Sequence, residues 1–145
     1  MKKTLAYGVT AECLVLTGAI QPYADEEWDR CIAFVGEYAR ASRRPRLLVV
    51  TDGGGPTVQQ RRSLDGLLDV HRRTARVAVL TPSTMARSIV TALSWFMPIY
   101  RSFAPDDLAG ALSFLELPAQ SLPDIRRLMG ELRSNVNGCI TLDGL

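Results

Sequence analysis

The apolar positions of this chain change their period several times, and each change marks an element. Two short β-leaning segments, 4–10 and 13–18, flank Thr10-Ala11-Glu12 and are close enough in sequence to pair as an antiparallel hairpin. The period then lengthens: Trp28, Cys31, Ile32, Val35, Tyr38 and Ala39 recur at helical spacing and form one apolar stripe. Asp25 is the expected N-cap, with Glu26 and Glu27 in the first turn, where carboxylates favour a helix amino terminus. Ser42-Arg43-Arg44-Pro45 ends this helix, with cations where the carbonyls collect and a proline to stop it.

Leu47-Leu48-Val49-Val50 breaks the alternation altogether. Four apolar residues in a row suit a strand covered on both faces, so a central strand is expected over about 46–51. It runs into Thr51-Asp52-Gly53-Gly54-Gly55-Pro56, whose glycines let the backbone turn sharply and whose proline suits the first turn of a helix. The inward face of that helix reads Leu64, Leu67, Leu68 and His71. A second buried strand, Val77-Ala78-Val79-Leu80, is followed by Thr81-Pro82-Ser83, with Ser83 as N-cap for a helix carrying Ala86, Ile89, Val90, Leu93 and Met97 on one face. Pro98 breaks that run, and Ile99-Tyr100-Arg101-Ser102-Phe103 alternates as an edge strand with one wetter face should. Pro105-Asp106-Asp107 opens a helix with Leu108, Ala111, Leu112 and Leu115; Leu122-Pro123 opens a last one with Ile125, Leu128, Met129 and Leu132. Both should dock on one side of the sheet.

Strand and helix in alternation are the grammar of right-handed βαβ units. The expected fold is therefore α/β: one domain over 1–145, a mixed sheet of about five strands, an N-terminal β-hairpin followed by βα units, and helices packed on the sheet. Residues 118–145 read as an appendage of that domain. In the tail, Asn137-Gly138 is a turn signal and residues 139–142 are either a short strand or an ordered strap.

Composition narrows the class without changing the fold. With 145 residues, 47% apolar and 22% charged, the chain can bury about two thirds of its unfolded surface and needs neither metal nor disulfide to do so. No run approaches the roughly 18 apolar residues of a membrane span. Two lysines open the chain as in a signal peptide, but Tyr7, Gly8, Thr10 and Glu12 interrupt any apolar core, so no membrane partner and a cytoplasmic location are expected. Cys13, Cys31 and Cys139 are odd in number and lack a C-x-x-C partner, which disfavours a disulfide framework or a zinc site and favours inert thiols. A net charge of +2 is too small to imply nucleic acid, although Arg43-Arg44-Pro45-Arg46, Arg61-Arg62 and Arg72-Arg73 cluster locally.

Candidate chemistry is sparse. A glycine triplet after a strand invites an anion-binding reading, with Arg61 or Arg62 one turn into the helix supplying charge, yet neither the P-loop nor the dinucleotide spacing is met. Asp52 sits where α/β enzymes place carboxylates and is equally a turn residue. His71, the sole histidine, has no acid or nucleophile at a telling spacing and reads as a structural side chain. No catalytic residue, cofactor or metal site is assigned, and a non-enzymatic role is expected. Trp95-Phe96-Met97-Pro98 is the densest apolar patch; helical geometry cannot aim all of it at one core, which makes Trp95, Phe96 and Met97 a candidate homodimer contact.

The opening hairpin, the Asp25-Glu26-Glu27-Trp28 helix, the Val50-Thr51-Asp52-Gly53-Gly54-Gly55-Pro56 turn with Gln60-Arg61, and Ala92-Leu93-Ser94-Trp95-Phe96 together resemble a STAS domain, the SpoIIAA-like fold of anti-sigma-factor antagonists, and small uncharacterised bacterial proteins of that group. The resemblance covers most of residues 4–117. It implies a regulatory, protein-binding module whose working surface is the turn after the central strand: Asp52, Gly53, Gly54, Gly55, Thr57 and Arg61. In phosphoregulated members that turn carries an aspartate followed by a serine or threonine. Here Asp52 matches, glycines hold the acceptor position, and only Thr57 or Ser63 would substitute as phosphoacceptor. The alternative class is a small anionic-ligand sensor or enzyme built on the 53–55 turn.

Overall fold

A sheet whose strands lie in chain order leaves little choice about where its helices go. The computed structural model describes residues 3–136. Strands β1 (Leu5–Val9) and β2 (Leu14–Gly18) form the antiparallel hairpin; β3 (Arg46–Thr51), β4 (Arg76–Leu80) and β5 (Tyr100–Phe103) follow in parallel, giving the order β1-β2-β3-β4-β5. The parallel strands are joined by α1 (Asp25–Ala41), α2 (Val58–Asp69) and α3 (Thr84–Ser94). Successive right-handed crossovers that step the same way across a sheet must all lie on one face. That face holds one core, where Leu14, Leu16, Leu47, Val77 and Val79 meet Trp28, Cys31, Val35, Leu64, Leu68 and Val90.

The other face would be bare without the C-terminal segment. Val15, Leu48, Val50, Ala78 and Leu80 are covered there by α4 (Leu108–Phe114) and α5 (Leu122–Arg133), through Leu108, Ala111, Leu112, Leu115, Ile125 and Met129. Within 118–145, expected as an appendage, α5 is thus a wall of the core: the topology exposes five apolar strand residues that α4 and α5 cover together. The turn expected at Asn137-Gly138, residues 139–142 and Cys139 lie outside the described residues. The mixed α/β fold, β3 at mid-sheet and β5 at the edge are as the pattern predicts. Among the described residues no helix is long and apolar enough to cross a membrane.

Three helix starts differ in detail from the pattern. Asp25 is not the N-cap of α1; Ala24 holds that position, and its amide donates to the Thr4 hydroxyl (3.1 Å), which in turn donates to Glu27 (2.8 Å). Pro56 precedes α2 instead of opening it, because Thr57 and Gln60 form a capping box that takes the first free amides. Pro105-Asp106 lies outside α4, whose cap is the Asp107 carboxylate accepting from Gly110. At the end of α4, Glu116 takes φ +58°, with Leu117 N donating to Leu112 O and Glu116 N to Ser113 O, a Schellman closure with glutamate where glycine is usual. Its carboxylate meets Arg44, Arg46 and Arg76 at 3.3–3.6 Å.

Candidate functional site

The corner after β3 is shaped by Thr51. Its hydroxyl accepts from Gly53 N (3.2 Å) and donates to Gly54 O (2.6 Å), closing a tight turn in which Gly53 adopts φ +126°. A Cβ on Gly54 would lie 2.1 Å from Ala19 O and 2.6 Å from Ile20 O, so the turn packs backbone to backbone on the loop after β2. Positions 53 and 54 are therefore built for glycine. Gly55 has open space around it.

Gln60 locks the corner to α1. Its side-chain amide donates to Tyr23 O (3.1 Å) and to the Asp25 carboxylate (2.7 Å), its side-chain oxygen accepts from Thr57 N (3.0 Å), and its carbonyl accepts from the Trp28 indole (2.9 Å). Asp52 turns the opposite way. It shares the pleat face of Leu48 and Val50, points at α5 and pairs with Arg133 at 2.9 Å, its side chain 0% exposed and that of Arg133 12%.

Between α2 and α3, above the carboxyl halves of β3 and β4, lies a cavity of about 240 Å³. Val49, Val77 and Val79 form its floor, and Val49 is the one residue of β3 that is not fully buried. Leu64 and Arg61 of α2 face Ala86, Ile89, Val90 and Leu93 of α3; Tyr23, Trp28 and Tyr100 close the back. Gly53, Gly54, Gly55 and Pro56 line the mouth. This gap is why the stripe expected on α3 is only partly buried, with Val90 alone fully so.

One polar cluster serves the cavity. The Tyr100 hydroxyl donates to Asp65 Oδ1 (2.7 Å), and Arg61 Nε stands 3.7 Å from Asp65 Oδ2. Burial first, and then the bond to Asp65, push the Tyr100 phenol far above its ordinary value; burial pushes Tyr23 up to about 12. Both are neutral hydroxyls at physiological pH and cannot act as bases.

The thiols of Cys13 and Cys31 are buried too. Burial pushes Cys13 up to about 11 and Cys31 to about 12. A raised thiol pKa stabilises the native state fully below the unfolded value and is lost as pH rises through the folded value. Stability is therefore expected to fall from about pH 9 upward, by about 1.4 kcal/mol per pH unit for each thiol. Urea titrations at stepped pH between about 9 and 10, below the range where the raised tyrosines add their own slope, read this effect, and a Cys13→Ala, Cys31→Ala protein should lose it there; an unchanged slope in that window would mean the thiols do not set it.

Of the expected site residues, Gly53, Gly54, Gly55 and Arg61 come together around this cavity. Thr57 is exposed at the start of α2 with its hydroxyl accepting from Gln60 N, while Arg62 and Ser63 are exposed on that helix. Asp52 is buried on the far face, and His71 lies beyond the end of α2, half-buried. Trp95 and Phe96 are 75% and 78% exposed, whereas Met97 packs partly against the core. Tyr23, Gln60, Asp65, Tyr100 and Arg133 carry weight that no motif announces, except that Thr57-x-x-Gln60 is a legible capping-box signature. Among the described residues no three His, Cys, Asp or Glu side chains converge as metal ligands. Comparison with known protein families, with curated proteins and with solved structures finds no match.

Proposed function

We propose that this protein is a small-molecule sensor: a non-catalytic α/β domain that takes a ligand between α2 and α3 at the carboxyl end of the sheet. The cavity of about 240 Å³, with an apolar floor and its mouth at the glycine corner, carries this reading. The neutral phenols and high-pKa thiols support a binding role over a catalytic one. Free, buried Cys13 and Cys31 support a reducing cytoplasmic setting.

The test is a thermal-shift screen of organic acids, alcohols, nucleotides and phosphorylated metabolites on the wild type and on Ala86→Phe. Ala86 lines the cavity and is only half-buried, so a phenyl ring there fills the space without overpacking the core. A true ligand at about 100 times its dissociation constant adds roughly 2.7 kcal/mol, and Ala86→Phe is expected to remove that gain while leaving the unliganded melting temperature within a few degrees. Shifts that survive Ala86→Phe would remove the cavity from the reading. A second reading, a protein-binding module of the STAS-like kind, is supported by α3: Met85 and Ile89 share one exposed helical face, and Trp95 and Phe96 are exposed in the turn that ends it. It takes precedence if no compound shifts the melt and sedimentation shows association that Trp95→Ser abolishes.

A further inference from the structure

We propose that the ligand is a small amphipathic carboxylic acid, its carboxylate on Arg61 at the mouth and its apolar body between α2 and α3; this rests on the cavity being the ligand site.

Arg61 is the one charged residue lining the cavity among the described residues. Its guanidinium is incompletely used. The side chain is 28% exposed, yet Nε is shielded from solvent and has no hydrogen-bond acceptor. Asp65 stands too far from it for a hydrogen bond, at 3.7 Å, and has committed its other oxygen to the Tyr100 hydroxyl. A shielded guanidinium N–H that hydrogen-bonds nothing costs stability, and a guanidinium held only by a long ion pair can still take a second anion.

The surroundings select the anion. The amino ends of α2 and α3 both border the mouth, through Pro56 on one side and Met85 and Ala86 on the other, and each carries partial positive charge. With Asp65 offsetting Arg61, the two helix ends, at about half a positive charge each, match a single negative charge and leave a phosphate dianion uncompensated. The rest of the ligand must be apolar, because Val49, Val77, Val79, Leu64, Val90 and Leu93 offer it no polar partner. Size limits it further. A cavity of about 150 Å³ holds benzene, and drug-sized sites start near about 300 Å³; about 240 Å³ fits a short aliphatic chain or one aromatic ring.

Titration calorimetry on the full chain tests this with carboxylates from butanoate to dodecanoate, with phenylacetate, and with octanol, methyl octanoate and octyl phosphate as matched controls. Affinity is expected to climb with chain length and then stop once the cavity is full. Octanoate should bind at least about tenfold tighter than octanol, and Arg61→Gln should cost octanoate about ten- to a hundredfold while leaving octanol unchanged. Arg61→Lys, which keeps the charge but not the forked donors, should fall between, and it decides the matter should Arg61→Gln fail to fold by circular dichroism. Equal binding of acid, alcohol and ester, preference for octyl phosphate, or an acid preference that survives loss of Arg61 would overturn the carboxylate assignment while the cavity stands. Binding by none of them would overturn the cavity reading along with it.

Discussion

Arg46→Met is expected to lower the stability of this protein by about 3–5 kcal/mol, a large share of the roughly 5–15 kcal/mol a domain has. Arg46 opens β3 with its guanidinium buried under α4. Its Nε donates to Leu115 O (2.7 Å), its Nη1 to Pro45 O (3.0 Å) and to Thr74 O, and its Nη2 to the Glu116 carboxylate (3.3 Å). One side chain thus ties the end of α4 to the loops entering β3 and β4. Methionine keeps most of the aliphatic stem without a donor, so Leu115 O and Thr74 O lose this partner while Pro45 O keeps the Arg76 amide, at about 1–3 kcal/mol for each that water cannot reach. Thermal unfolding should show a drop of roughly 6–20 °C. Glu116→Gly is the contrasting variant. The Glu116 side chain is half-exposed, its ion pairs with Arg44, Arg46 and Arg76 are screened, and glycine relieves the left-handed backbone, so a change within about 1 kcal/mol is expected. If the two variants are equally damaging, the ion pairs carry the clamp and the carbonyl bonds do not.

Asp52→Asn is the second large effect, at about 3–5 kcal/mol, because it removes the charge that Arg133 faces at 2.9 Å in a nearly closed site. Asp52→Asn combined with Arg133→Met should lose less than the two single changes added together, since the interaction between the two side chains is then lost only once. Denaturant titration of the four proteins gives the coupling directly. A coupling under about 0.5 kcal/mol would mean that the pair does not anchor α5.

Arg46 opens β3 and Asp52 directly follows it, and both show how far a strand can be read from its letters. The unbroken run of residues 47–50 announces a strand covered on both faces, and it is the middle strand of the sheet. Period two then places Arg46, Leu48, Val50 and Asp52 on one side. Nothing local says what waits there, because Leu115 and Glu116 are 69 and 70 residues from Arg46, and Arg133 is 81 residues from Asp52. Asp52 reads as a turn or contact residue for that reason. The helix stripes were equally legible where packing is dense: Leu108, Ala111 and Leu112 are buried as their spacing predicts. On α3 the spacing predicts burial that a cavity prevents.

The amino-acid sequence by itself determined the order of strands and helices, the hairpin, the central strand and the glycine corner, since each follows from interactions within a few residues: pleat and helix periods, proline and glycine backbones, and caps. The tertiary structure alone decided which face Asp52 and Arg46 join, that α5 is a wall of the core, and that α2 and α3 stand far enough apart to leave a space with Arg61 at its rim. Those depend on the hand of the crossovers and on side chains meeting across the chain, and no short window of sequence contains both partners.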